Sequence, residues 1–171
     1  KGLIAPCFTD LIKFRDGAMK TGKAWKAEVY DRCLKEIAGR AENSTVQERM
    51  EIVCTVLKDN LPHYFWVGFY FPKGDFLELG PSVGPPACAQ IPFTGVCGKA
   101  ARNGSPVVVP DVSKFPRHVV CDPRSRSEIA LPVFDGAGRV TAVFDVDSEE
   151  LGSFDRTDRE WLEKILGDVF S

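Results

Sequence analysis

No stretch of this 171-residue chain approaches the ~20 apolar residues that a membrane-spanning helix requires. The most apolar segment, Tyr64 to Phe71, is short and is bounded by Pro62 and Pro72. A membrane-embedded protein is therefore not expected, and the expected compartment is cytoplasmic. Runs of Lys or Arg are also absent, and the formal net charge is only -2. That removes the electrostatic footprint of a nucleic-acid binder and leaves small molecules as the expected partners. The six cysteines lack the dense, regular spacing of small disulfide-stapled domains, and no C-x2-C pair is present. There is no internal repeat and no low-complexity tract. One hydrophobic core, hence one soluble domain, is the expectation for this length.

What is present is a legible series of elements. Residues 1–23 have no sustained period and read as an N-terminal extension; residues 24–171 read as the domain. From Ala24, apolar residues Ala27, Tyr30, Leu34, Ile37, Ala38 and Ala41 recur at helical spacing until Asn43-Ser44 breaks the pattern. Ser44 or Thr45 can cap a second helix, with Glu48 placed for a capping box and Met50, Val53, Cys54 and Leu57 on its apolar face. Phe65 to Phe71 and Phe76 to Leu79 form a predicted β-hairpin around Pro72-Lys-Gly-Asp75. A short helix over Val96 to Arg102 and a strand over Val107 to Val109 follow. After a loop from Pro110 to Arg126, a second hairpin pairs Glu128 to Phe134 with Arg139 to Asp147. Asp155 opens a final amphipathic helix. The pattern is α+β, an antiparallel sheet backed by helices.

Three cysteines fall where loops and glycines gather. Cys121 stands among Arg117, Arg124 and Arg126, whose charge would favour the nucleophilic thiolate, while Asp122 opposes it. The competing reading is an idle loop thiol. Cys97, bracketed by Gly95 and Gly98 at a predicted helix start, would have its pKa lowered by the helix dipole; the competing reading is a small buried residue where helix meets sheet. Cys88 follows the stiff Gly84-Pro-Pro-Ala87. With His118 these thiols could make a Cys₃His zinc set, but the spacing is poor and no metal is expected. A thiol relay, in which an attacking cysteine needs a resolving one, fits better.

Acids and aromatics form a second constellation. Asp145 and Asp147 alternate on one strand and so share a face, with Glu128 on the adjacent arm. Either that strand end is exposed, or the acids build a pocket for an ammonium group or hold one acid protonated as a proton donor. Trp66 and Tyr70, four apart on the first strand, share a face as core or as the wall of an apolar slot.

Leu79-Gly-Pro81, Ala87-Cys88, Gly95-Val-Cys-Gly98, Val109-Pro-Asp111, His118-Val-Val-Cys-Asp122, Ser127-Glu128, Phe144-Asp-Val-Asp147 and Phe154-Asp155 together resemble the free methionine-(R)-sulfoxide reductases, which are GAF-domain enzymes. The resemblance covers about residues 24 to 170. It implies a six-stranded antiparallel sheet with helices packed on one face, a ligand cavity capped by loops, and a homodimer. It implies Cys121 as the thiol that attacks the sulfoxide, Cys88 and Cys97 as thiol partners, and a thioredoxin-like reductant in place of a bound cofactor. It also implies that Glu128, Asp145 and Asp147 hold the substrate ammonium and assist proton delivery, while Trp66, Tyr70 and Val119 contact free methionine sulfoxide. Between Cys88 and Cys97 the chain is one residue shorter than the family pattern, which leaves the first resolving thiol open. The alternative from another class is a non-catalytic GAF sensor of small molecules or oxidants.

Overall fold

The structure is a computed structural model and describes residues 23–170; residues 1–22 of the predicted extension, Cys7 among them, lie outside these, and Lys23 belongs to the first helix. Helix α1 (Lys23–Ala41) stops just before Asn43, whose φ of 61° is left-handed. Helix α2 (Val46–Asn60) starts on the predicted box: the Thr45 hydroxyl accepts from the Glu48 N–H while the Glu48 carboxylate accepts from the Thr45 N–H at 2.7 Å. Strands β1 (Trp66–Lys73) and β2 (Phe76–Val83) form the first hairpin, turning at Gly74 with φ 58°. The second hairpin joins β5 (Ser127–Phe134) to β6 (Val140–Ser148), and its turn is held by Asp135, whose carboxylate accepts from the N–H groups of Ala137 and Arg139. Helix α3 (Val96–Asn103), strand β4 (Val107–Val109) and helix α4 (Arg156–Phe170) complete the predicted elements.

One strand was not expected from the residue pattern. Strand β3 (Gln90–Pro92) is too short to carry a period, and it exists because Ile91 pairs with Leu77 on β2. With it the sheet has six antiparallel strands in the order β3-β2-β1-β6-β5-β4. The α+β expectation holds.

Alternation along the strands divides the interior in two. Val67, Phe69, Ile129, Leu131, Phe144 and Val146 point toward α1, α2 and α4 and fill the larger core. Within it Asp158 is fully buried, accepting from the Tyr30 hydroxyl at 2.7 Å and from Lys26 Nζ, so the charge that burial would disfavour is paired. Trp66, Tyr70, Ala130 and Val143 point to the other side, where α3 and the loop from Pro110 to Arg126 close over them. Three helices thus cover one face, while the short α3 lies on the face that carries the site.

Candidate active site

Register brings the predicted residues together. On adjacent strands Glu128 of β5 stands opposite Asp147 of β6, which in turn stands opposite Trp66 of β1. Asp145, one alternation further along, lies between Ala130 and Gly68, and the Trp66 ring packs against Gly68 where a Cβ would be only 2.5 Å from it. Trp66 and Tyr70 share that face with ring centroids 6.0 Å apart. The lining of the pocket so formed includes Cys97, His118, Val119 and Cys121. The strand end is not solvent-exposed: Glu128 and Asp145 each retain only 5% of their accessible surface.

Cys88 and Cys121 are joined as a disulfide, with Cα atoms 5.4 Å apart, between the loop after β2 and the loop before β5. The Tyr70 hydroxyl donates to the Cys88 carbonyl at 3.1 Å, so the aromatic wall also fixes one end of the thiol pair. The arginine rationale for Cys121 changes. Arg124 is held by Asp122 through two contacts, at 3.0 and 2.7 Å, and lies over the Phe65 ring. Its charge is answered by that acid.

Cys97 requires a correction. It does lie in the first turn of α3, behind the cap at Gly95, but its thiol pKa is raised well above the usual value rather than lowered. Burial is the largest cause, followed by the negative charge of Asp145 and Glu128. The buried-residue reading of Cys97 therefore holds, and the helix terminus is outweighed. Its Sγ is 3.8 Å from Glu128 Oε1.

Burial also lifts the acids. Glu128 is pushed well up, by burial and then by Asp147; Asp145 is pushed well up, by burial and then by Glu128 and Asp147. Asp147 rises to about 6, through burial opposed by a hydrogen bond from Ser125. His118 Nε2 is 3.2 Å from Glu128 Oε2. Burial lowers the His118 pKa, opposed by the negative charge of Asp147, and raises that of Glu128, so burial works against ionisation on both sides of this contact. Asp145 Oδ1 is buried with no hydrogen-bond partner, a costly state that a ligand cation would relieve. Ser125 and the His118–Glu128 contact were not foreseen. Both come from a loop without periodicity, and the only signal was that the loop carries several polar residues close to Cys121.

The Cys₃His set that the spacing disfavours does not assemble, since Cys88 and Cys121 are bonded to each other. Among the described residues, the group able to hold a metal ion is Cys97, Glu128 and Asp145.

A sheet of this order, with helices behind and a loop-capped pocket in front, defines a class: the GAF-domain family pattern matches residues 43–169, and the chain belongs to that family. Within it the chain groups with the free methionine-R-sulfoxide reductases. It is 36% identical to the protein of that name from Escherichia coli, over 67% of this chain and 69% of that one. It is 40% identical to GAF domain-containing protein A of Dictyostelium discoideum, over 86% of this chain and 94% of that one. The X-ray structure of the Neisseria meningitidis free methionine-R-sulfoxide reductase in complex with its substrate superposes with a TM-score of 0.77 at 37% identity. That match covers 89% of this chain and 90% of that one.

Proposed function

We propose that this protein reduces free L-methionine (R)-sulfoxide to methionine, residues 24–171 being the catalytic unit. The observation that carries the reading is the meeting, in one pocket, of the Cys88–Cys121 pair with two buried acids, Glu128 and Asp145, and the half-buried Asp147, Asp145 having an unpartnered oxygen. In the reduced enzyme, the Cys121 thiolate attacks the sulfoxide sulfur. Oxygen is transferred to Cys121 as a sulfenic acid and methionine leaves as the thioether. The Cys88 thiol then attacks the sulfenic sulfur, water departs, and the disulfide forms. An external dithiol of the thioredoxin type takes up the oxidation and regenerates both thiols, so no bound cofactor is required.

The acids act on substrate in two ways. Ionised Asp147 with Asp145 receives the ammonium group, which peptide-bound methionine sulfoxide lacks. Glu128, kept protonated by burial and steadied by His118, supplies a proton to the sulfoxide oxygen. Trp66, Tyr70 and Val119 enclose the methyl-sulfur end. Cys88 is the first resolving thiol in this reading, because it is within bonding reach of Cys121, whereas burial holds Cys97 in its thiol form. Cys33, Cys54 and Cys97 are free and buried, in keeping with a reducing cytoplasm. A homodimer is proposed on the family resemblance and is tested by sedimentation.

Assay of free methionine sulfoxide consumption with a thioredoxin system is the decisive experiment. Cys121→Ser should abolish turnover. Cys88→Ser should complete one reduction per active site and then stall, read as a burst in single-turnover kinetics. Unchanged turnover in Cys121→Ser would overturn the assignment, and inactive unmutated protein would favour the sensor reading.

A further inference from the structure

Cys97 is free while Cys88 and Cys121 are bonded to each other; it is only 3% exposed and its Sγ stands 3.8 Å from a carboxylate oxygen. A donor atom from each of Cys97, Glu128 and Asp145 lies within 4.8 Å of the other two. Asp145 Oδ1 is buried without a hydrogen-bond partner, on a side chain that is 5% exposed and otherwise interacts with Cys97 and Glu128. One thiol and two carboxylates gathered in a low-dielectric pocket repel one another when ionised, and a dipositive ion is the charge that would satisfy all three.

We propose that Cys97, Glu128 and Asp145 form a binding site for a divalent transition-metal ion of the zinc type. A thiolate in the donor set selects zinc over magnesium or calcium, which take oxygen ligands. Bond lengths to tetrahedral zinc put a sulfur and an oxygen ligand roughly 3.5 Å apart, close to the present Cys97–Glu128 separation of 3.8 Å. The second oxygen of Glu128 is already held by His118 at 3.2 Å, the kind of outer hydrogen bond that orients a ligating carboxylate. Three protein ligands leave a fourth position open to the pocket for water. Binding releases the Cys97 proton to solvent and takes up Asp145, one of the two acids assigned above to the substrate ammonium, together with Glu128, assigned above to proton delivery. The ion is therefore an inhibitor that competes with an ammonium ligand, and its binding does not depend on the reductase reading.

The test uses the full chain with the Cys88–Cys121 bond closed, so that Cys97 is the thiol the pocket offers. Titration with cobalt(II) should produce a thiolate-to-cobalt charge-transfer band that zinc(II) displaces. The band should be lost in Cys97→Ser, and cobalt affinity should fall by at least about tenfold in Asp145→Asn, which preserves side-chain volume. Circular dichroism establishes that both variants are folded. Absence of the band in the unmutated protein, or its persistence in Cys97→Ser, would overturn the proposal. A chain that binds cobalt through Cys97 but turns over no methionine sulfoxide would support this site and overturn the reductase assignment separately.

Discussion

Asp147 is the pocket acid whose titration can be followed from outside. Its pKa rises from 3.8 to about 6, chiefly through burial. Between those values the folded protein holds a proton that the unfolded chain has lost, so stability falls as pH rises through that window and is level above it. The shift corresponds to a contribution on the order of 2–3 kcal/mol. Asp147→Asn removes the titration: urea unfolding at pH 4 and pH 7.5 should show the variant gaining about that much on the unmutated protein at the higher pH. That the acids share a face was legible in the sequence, since Asp145 and Asp147 alternate within an apolar run and alternation is a local property. The behaviour of Cys97 was not. Its position at a helix start is visible in Gly95 and Gly98, whereas the burial that reverses the expected shift, and the charges of Asp145 and Glu128 that add to it, come with strands 48 and 31 positions further along.

Helix α3 is the element on which the pocket depends most. Its first turn packs so closely on the preceding segment that a Cβ at Gly98 would collide with the Phe93 backbone carbonyl. Gly98→Ala should therefore push the turn away from the sheet at a cost of roughly 1–3 kcal/mol. The same displacement should draw Cys97 out of its burial, so alkylation of Cys97 in the folded variant should be faster than in the unmutated protein. Unchanged stability and reactivity would mean that the turn relaxes without moving the thiol. The existence of α3 could be read from its bracketing glycines, just as α2 could be read from Thr45 and Glu48. Strand β3 could not. Three residues ending in Pro92 hold no periodic signal, and their conformation is imposed by β2.

For the whole molecule, the Cys88–Cys121 bond closes a loop across a sequence separation of 33. A crosslink of that span constrains the unfolded chain by roughly 3–4 kcal/mol in the chain-entropy account. Thermal melts should place the oxidised protein above the reduced one, and Cys88→Ser should abolish the difference. The sequence of elements was legible at this scale, but the pairing of β1 with β6 was not, because nothing local tells a strand which distant strand it will meet. That pairing assembles Trp66, Asp147 and Glu128 in one row. It also means that neighbouring residues in β5 and β6 serve opposite faces: Phe144, Val146 and Ile129 support the fold, while Asp145, Asp147 and Glu128 line the pocket. Single substitutions can thus alter one function without the other. An insertion or deletion of one residue within β6 cannot, because it would turn the acids toward the helices and the hydrophobic residues toward the ligand. Lineages of this protein should accordingly vary by substitution within these two strands and change length only in the turn at Asp135 to Arg139.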